Sequence, residues 1–131
     1  MYVRFVRPNA VDGMSAREGF FCAAYELRAD PMLDVYSQGR LEELLAWFRE
    51  NLAIPESFST SKSKGAADRD GKGLSWFRTD AREALAKSYE LIALLEEWGY
   101  VIETIRSDRI GYVIYEDDDQ VVAEPFADTL V

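Results

Sequence analysis

The residues best suited to chemistry lie in one segment, SFSTSKSKGAADRDGKGLSWFRTDAR at 57–82, which is rich in basic residues, serine and glycine. Its charges sum to +3 while the whole chain carries −9, so the remainder carries −12. Cationic side chains, hydroxyls and glycine amides all donate to anions, and the segment leads into a predicted helix whose N-terminus attracts negative charge. The candidate binding residues are Lys62, Lys64, Arg69, Lys72, Trp76, Arg78 and Arg82.

Three interpretations of this basic segment stay open. It is a solvated loop, a contact for nucleic acid or a phosphorylated ligand, or a contact for a protein partner; aromatic residues serve the last two by stacking on bases or anchoring an interface. A nucleotide P-loop is not indicated, because the string from Gly65 to Gly73 has one residue too many between its glycines and no Ser or Thr after Lys72. We expect a mobile surface loop over 59–73, with Trp76 and Phe77 packing in the core.

A second patch surrounds the turn near residue 108. Arg106 and Arg109 flank this turn, and Tyr112 follows at the start of a predicted strand. Because side chains alternate along a strand, Tyr112 and Tyr115 are expected on opposite faces, one of them free to meet a ligand. An ordinary amphipathic strand is the alternative.

The residue inventory excludes several chemistries. The chain has no histidine, which removes Ser-His-Asp and Cys-His nucleophiles and ordinary zinc sites. Its single cysteine, Cys22, cannot form an intrachain disulfide and lies in the apolar run FFCAAY, so we expect a buried, unreactive thiol. A reduced thiol is typical of the cytosol, where we place the protein.

Carboxylates are plentiful, and the densest group is Glu116-Asp117-Asp118-Asp119. A Mg²⁺ or Ca²⁺ site is one interpretation, but the spacing of an EF-hand loop is absent. We predict a solvent-exposed turn that binds no divalent ion tightly, and no metal or other cofactor elsewhere. General acid-base catalysis by carboxylates with arginines is kept as an alternative, although no pair is singled out by the sequence.

Three helices are predicted to position these residues. Ser15 and Glu18 resemble a capping box that opens a helix to about Ala29, with a strand as the alternative over GFFCAAYEL. The second helix presents an apolar stripe and ends before Pro55. The third spans 80–98, with a capping box at Asp80 and Glu83 and a stop at Gly99. The stripe of the second helix is Leu41, Leu44, Leu45, Phe48 and Leu52.

Strands are predicted at 2–6, ending at Pro8, and at 100–105, 110–116 and 120–126, where Val, Ile, Tyr and Phe are enriched. Short links between the last three indicate an antiparallel three-strand meander. Together with the N-terminal strand, the meander forms one sheet covered by three helices. The prediction is therefore a two-layer α+β fold in a single domain over 1–131.

The C-terminal half is similar to small bacterial proteins of unassigned role, over about residues 75–128. The similarity lies in Ser75-Trp76-Phe77 and in GYVIYEDDDQVVAEPF at 111–126. It implies no fold, activity or site.

Composition favours non-covalent binding over catalysis. A small chain with net charge −9, seventeen aromatic residues and no histidine fits an acidic protein that binds a protein partner, of inhibitor, immunity or regulatory type. No run is long enough to span a membrane. The alternatives are binding of a phosphate ligand or nucleic acid through residues 62–82, and a small enzyme. A protein-binding module should carry an aromatic patch rimmed by acids, whereas a deep pocket of carboxylates and arginines would indicate an enzyme.

Overall fold

A computed structural model describes residues 1–10, 17–52 and 73–129. The predicted loop at 59–73 lies outside the described residues, except for Gly73. The strands are β1 (Tyr2–Ala10), β2 (Arg17–Gly19), β3 (Leu74–Arg78), β4 (Glu103–Ser107), β5 (Tyr112–Glu116) and β6 (Gln120–Glu124). The helices are α1 (Phe20–Arg28), α2 (Val35–Asn51) and α3 (Arg82–Glu97).

The strands form one antiparallel sheet in which β1 is central. Val3 pairs with Phe77 of β3 and with Arg106 of β4, and these partners must lie on opposite edges of β1. β2 and β3 lie along the same edge of β1, opposite β4. β6 lies between β3 and β5 and pairs with both. Pro8 does not end β1 as predicted, because it falls at a register shift between Val6 and Ala10, where its missing N–H is tolerated.

The helices pack on one face of this sheet, which confirms the two-layer α+β fold. Val3, Phe5 and Phe77 meet the buried helix faces in one apolar cluster. The predicted stripe of α2 is buried from Leu41 to Phe48. The opposite sheet face buries a second cluster formed by Val6, Trp76, Ile105, Ile110, Val121 and Ala123.

Both predicted capping boxes are wrong. α1 begins at Phe20 after Gly19, because Arg17–Gly19 is drawn into strand pairing with β1, and Glu18 therefore lies in β2. Ser15 is outside the described residues. α3 begins at Arg82 after Ala81, and no side chain caps it.

The strand order also differs from the predicted meander. β5 and β6 pair as expected, but β4 pairs with β1 instead of β5. β6 pairs on its other edge with β3, a strand that the sequence pattern did not predict. Long-range pairing of this kind leaves no local signal, since short links only favour neighbouring strands.

Cys22 is exposed, which contradicts the predicted buried thiol. α1 buries Phe20, Ala23, Ala24 and Leu27, a spacing of three and four residues that leaves position 22 off the stripe. Within the described ranges, no helix combines the length and apolarity that a membrane span needs.

Candidate protein-binding surface

The most unusual exposed surface lies where α1 passes into α2. Met32, Val35 and Tyr36 are 77%, 85% and 75% exposed. We call these three residues the turn surface. Scattered apolar exposure is ordinary in soluble proteins, but adjacent large apolar side chains mark interaction sites.

Hydrogen bonds hold the backbone of this turn in one conformation. Asp30 Oδ1 accepts from the Met32 N–H at 2.8 Å, and the Asp30 carbonyl accepts from the Leu33 N–H at 3.2 Å. Asp34 caps α2 by accepting from the Ser37 N–H at 2.6 Å, and this backbone hydrogen bond lowers the pKa of the Asp34 carboxyl. Leu33 packs inward against the core. The turn surface is thus presented by a preordered backbone.

Carboxylates surround the turn surface, and the nearby cations are already paired. Arg40 lies over the Tyr36 ring at 5.9 Å from the ring centre, and its Nη1 contacts Glu97 Oε2 at 3.3 Å. Asp30 and Asp34 each lie two residues from Met32 in the chain. Tyr36 is thus the exposed aromatic residue of a turn that carries two carboxylates, Asp30 and Asp34.

A recess lies next to the turn, and Asp30, which accepts the Met32 N–H, is one of its lining residues. We call it the Trp98 recess; its volume is about 310 Å³, and it is lined by Arg7, Pro8, Asp30, Trp98, Gly99, Tyr100 and Val101. The Arg7 guanidinium lies 5.3 Å from the centre of the Tyr100 ring and contacts Glu26 at 2.7 Å. Burial raises the pKa of the Tyr100 hydroxyl, the charges of Glu26 and Asp30 raise it further, and the charge of Arg7 opposes them.

The end of α3 places the aromatic residues of the recess. Gly99 adopts φ +91°, its N–H donates to the Glu96 carbonyl at 3.1 Å, and the Tyr100 N–H donates to the Leu95 carbonyl at 3.0 Å. This is a Schellman motif, and it confirms the predicted stop at Gly99. The chain reverses there, which sets Trp98 and Tyr100 on either side of the turn.

The candidate residues of the basic segment are only partly described. Lys62, Lys64, Arg69 and Lys72 lie outside the described residues. Trp76 is 0% exposed, so the prediction of core packing is confirmed, and its role as a stacking or anchoring residue is not supported. Within the described residues, its Nε1 is the one buried side-chain nitrogen or oxygen without a hydrogen-bond partner.

Arg78 and Arg82 line a recess at the β5–β6 turn, of about 600 Å³, together with Asp80, Ala81 and residues 116–119. Arg78 is held by Glu116 at 2.5 Å and by Asp80 at 3.6 Å. Carboxylates and arginines do converge here, as in an active site. The recess is open rather than deep, because the Asp80 and Glu116 side chains are 78% and 51% exposed, and it does not favour catalysis.

The acidic turn is less exposed than predicted, since Asp117 and Asp119 are half-buried and, of the three aspartates, only Asp118 is exposed. Asp117 accepts hydrogen bonds at 2.8 Å from the Asp119 N–H, the Gln120 N–H and the Tyr115 hydroxyl. These bonds fold the turn around one carboxylate. In the described part of the chain, no three acidic or cysteine side chains are grouped to hold a metal ion, and weak divalent binding stays a prediction.

The fold brings together Arg109 and Tyr112 of the second predicted patch, but not Arg106. Arg109 stacks 4.5 Å from the centre of the Phe126 ring and pairs with Asp128 at 3.2 Å, while the Tyr112 and Phe126 rings are 4.6 Å apart. Arg106 is exposed on β4 and does not line the adjoining recess of about 390 Å³. A register shift between Val113 and Tyr115 removes the strict alternation on which the two-faced tyrosine prediction depended.

Sequence reasoning missed the turn surface and the Trp98 recess. The available signal was the helical stripe of α2: continued backwards from Leu41 it reaches Ser37, which leaves Val35 and Tyr36 off the buried face. The recess had no such signal, because Arg7, Asp30 and Trp98 come together only through the tertiary fold.

Comparison of the chain with protein-family models, curated proteins and solved structures gives no match.

Proposed function

We propose that this protein acts by non-covalent binding to a protein partner, and that the turn surface is its contact. The observation that carries the proposal is the exposure of Met32, Val35 and Tyr36, each at least three-quarters accessible and all within five consecutive residues of the chain. Aromatic residues and methionine are enriched in protein interfaces, and tyrosine is among the residues that most often dominate the binding free energy.

Two further features support the turn surface over other exposed groups. Its backbone is held by the hydrogen bonds of Asp30 and Asp34, so little conformational entropy is lost on binding. Its rim is acidic within a chain of net charge −9, which favours encounter with a basic partner and disfavours acidic ones.

The test is capture of a partner by the full chain from a lysate of the source organism, with and without nuclease, followed by reconstitution from purified components. The variant Met32→Ser/Val35→Ser/Tyr36→Ser should lose affinity for the purified partner by at least about tenfold, since hot-spot side chains each contribute more than about 1 kcal/mol. Val113→Ser is the control, because this residue is also apolar and exposed but lies on β5.

Both variants alter exposed side chains and should retain the stability of the wild-type protein. Equal affinity of the turn-surface variant and the wild-type protein would contradict the proposal. Capture that disappears with nuclease would instead support the alternative of nucleic-acid binding through the basic segment.

A further inference from the structure

The Trp98 recess has the composition of a site for a cation. Trp98 and Tyr100 supply aromatic faces, and Asp30 supplies a carboxylate at the same opening. Resting on the proposed function, we propose that this recess receives one arginine side chain of the protein partner, its guanidinium stacked on Trp98 and paired with Asp30.

The charges around the recess leave one carboxylate for an incoming cation. Arg7 is engaged by Glu26 at 2.7 Å and by Glu18 at 3.4 Å. Asp30 uses Oδ1 to accept the Met32 N–H and, among the described residues, forms no ion pair. An incoming guanidinium therefore meets an oriented acid that no cation of the described chain neutralises.

The protein already displays this recognition once, in the same recess. Arg7 lies over the Tyr100 ring while its Nη1 is held by Glu26. An arginine between Trp98 and Asp30 would repeat the combination of aromatic face and carboxylate, with tryptophan as the better cation–π partner. Arginine suits the site better than lysine because its planar guanidinium stacks and pairs at the same time.

The size and position of the recess fit one side chain of a larger partner. Its volume of about 310 Å³ lies at the lower end of the range for ligand pockets. Because Asp30 belongs both to the recess and to the preordered turn, a partner can place an arginine in the recess and an apolar side chain on the turn surface together. Such a charged and apolar pair gives specificity that a flat apolar contact lacks.

The experiment follows the amide and indole resonances of the ¹⁵N-labelled full chain during titration with a blocked tripeptide, acetyl-Leu-Arg-Leu-amide. Its matched probe replaces arginine by citrulline, which has nearly the same shape without the charge. The arginine peptide should shift the Trp98 indole N–H and the Gly99 amide, and citrulline should not. Asp30→Asn keeps the Oδ1 acceptor for Met32 and should weaken arginine binding by about fivefold, the upper range for a partly exposed ion pair.

Asp118→Asn is the control variant, because it removes the same charge from an exposed position at the β5–β6 turn. Absence of shifts at Trp98 and Gly99, equal shifts with citrulline, or equal weakening by the control variant would each overturn the inference. These outcomes are distinct from failure of the proposed function, which depends on Met32, Val35 and Tyr36 and not on Asp30 or Trp98.

Discussion

Asp117 and Asp119 are two residues apart, and their carboxyl pKa values move in opposite directions. Burial alone would raise the pKa of Asp117, but hydrogen bonds from Gln120, Tyr115 and the Asp119 amide lower it. For Asp119, burial raises the pKa, and the charges of Asp117 and Asp118 raise it further. The charge of Asp117 therefore stabilises the folded turn, whereas the folded turn disfavours the charged form of Asp119.

Substitution of these two residues should have opposite effects on stability. Asp117→Ala should lower the free energy of unfolding at pH 7 by about 1–3 kcal/mol, the cost of leaving buried donors unpaired. Because the pKa of Asp117 is lower in the folded state, its charge-dependent contribution is present above the unfolded value of 3.8 and is lost as pH falls below it. The deficit of the variant should thus shrink in urea unfolding at about pH 3.

Asp119→Asn is the partner experiment. The raised folded pKa of Asp119 means that its charged form is disfavoured by folding, so removing the charge should increase stability at pH 7 and have no such effect well below pH 3.8. Asp118→Asn, at the exposed position between them, removes one of the charges that raise the pKa of Asp119 and should increase stability at pH 7 by less than Asp119→Asn does. Destabilisation at pH 7 by Asp119→Asn would show that the turn needs both charges.

At the scale of elements, substitution by alanine should have opposite effects on stability at Gly111, just before β5, and at Gly39, within α2. Gly111 has φ +127°, and a Cβ there would lie 2.0 Å from the Glu124 carbonyl oxygen, against backbone that cannot move aside. Gly111→Ala should lower the free energy of unfolding by about 1–3 kcal/mol or more, since it combines a disfavoured φ with a steric clash at the start of the β5–β6 pair.

Gly39 lies in α2 with open space around it, and Gly39→Ala should raise the free energy of unfolding by about 0.5–1 kcal/mol. Urea unfolding of both variants is the measurement, and equal effects would contradict this assignment of the two glycines.

The helices were largely predictable, because the period of three to four residues is local information that Leu41, Leu44, Leu45 and Phe48 carry by themselves. The pairing of β4 with β1 was not predictable, since its partners are separated by most of the chain. The start of α1 was misplaced because Arg17–Gly19 pairs with β1 as a strand and does not join the helix. Of the candidate site, only the Asp30-Pro31 break between α1 and α2 was visible in advance.

At the scale of the whole molecule, reversing the charge of the basic segment distinguishes protein binding from the alternative of nucleic-acid binding. Changing Lys62, Lys64, Arg69 and Lys72 to Glu should barely alter stability, since exposed pairs contribute about 0–1 kcal/mol each. We expect a labelled single-stranded oligonucleotide not to bind the wild-type protein at low salt. Binding that the charge reversal abolishes, and that weakens with salt at a slope near −0.7 per phosphate, would favour the alternative.

The central position of β1 has a consequence for how the chain reaches this structure. Tyr2 pairs with both Arg78 and Ser107, so the middle of the sheet is completed only by closing loops that span most of the sequence. Such distant pairings slow folding, because chain entropy is lost before the contacts form. During synthesis, Val3 and Phe5 remain without their β4 neighbours until residues beyond 100 have left the ribosome. Among the described elements, the first strand to be synthesised therefore has its second edge paired only after β3 and α3 have emerged.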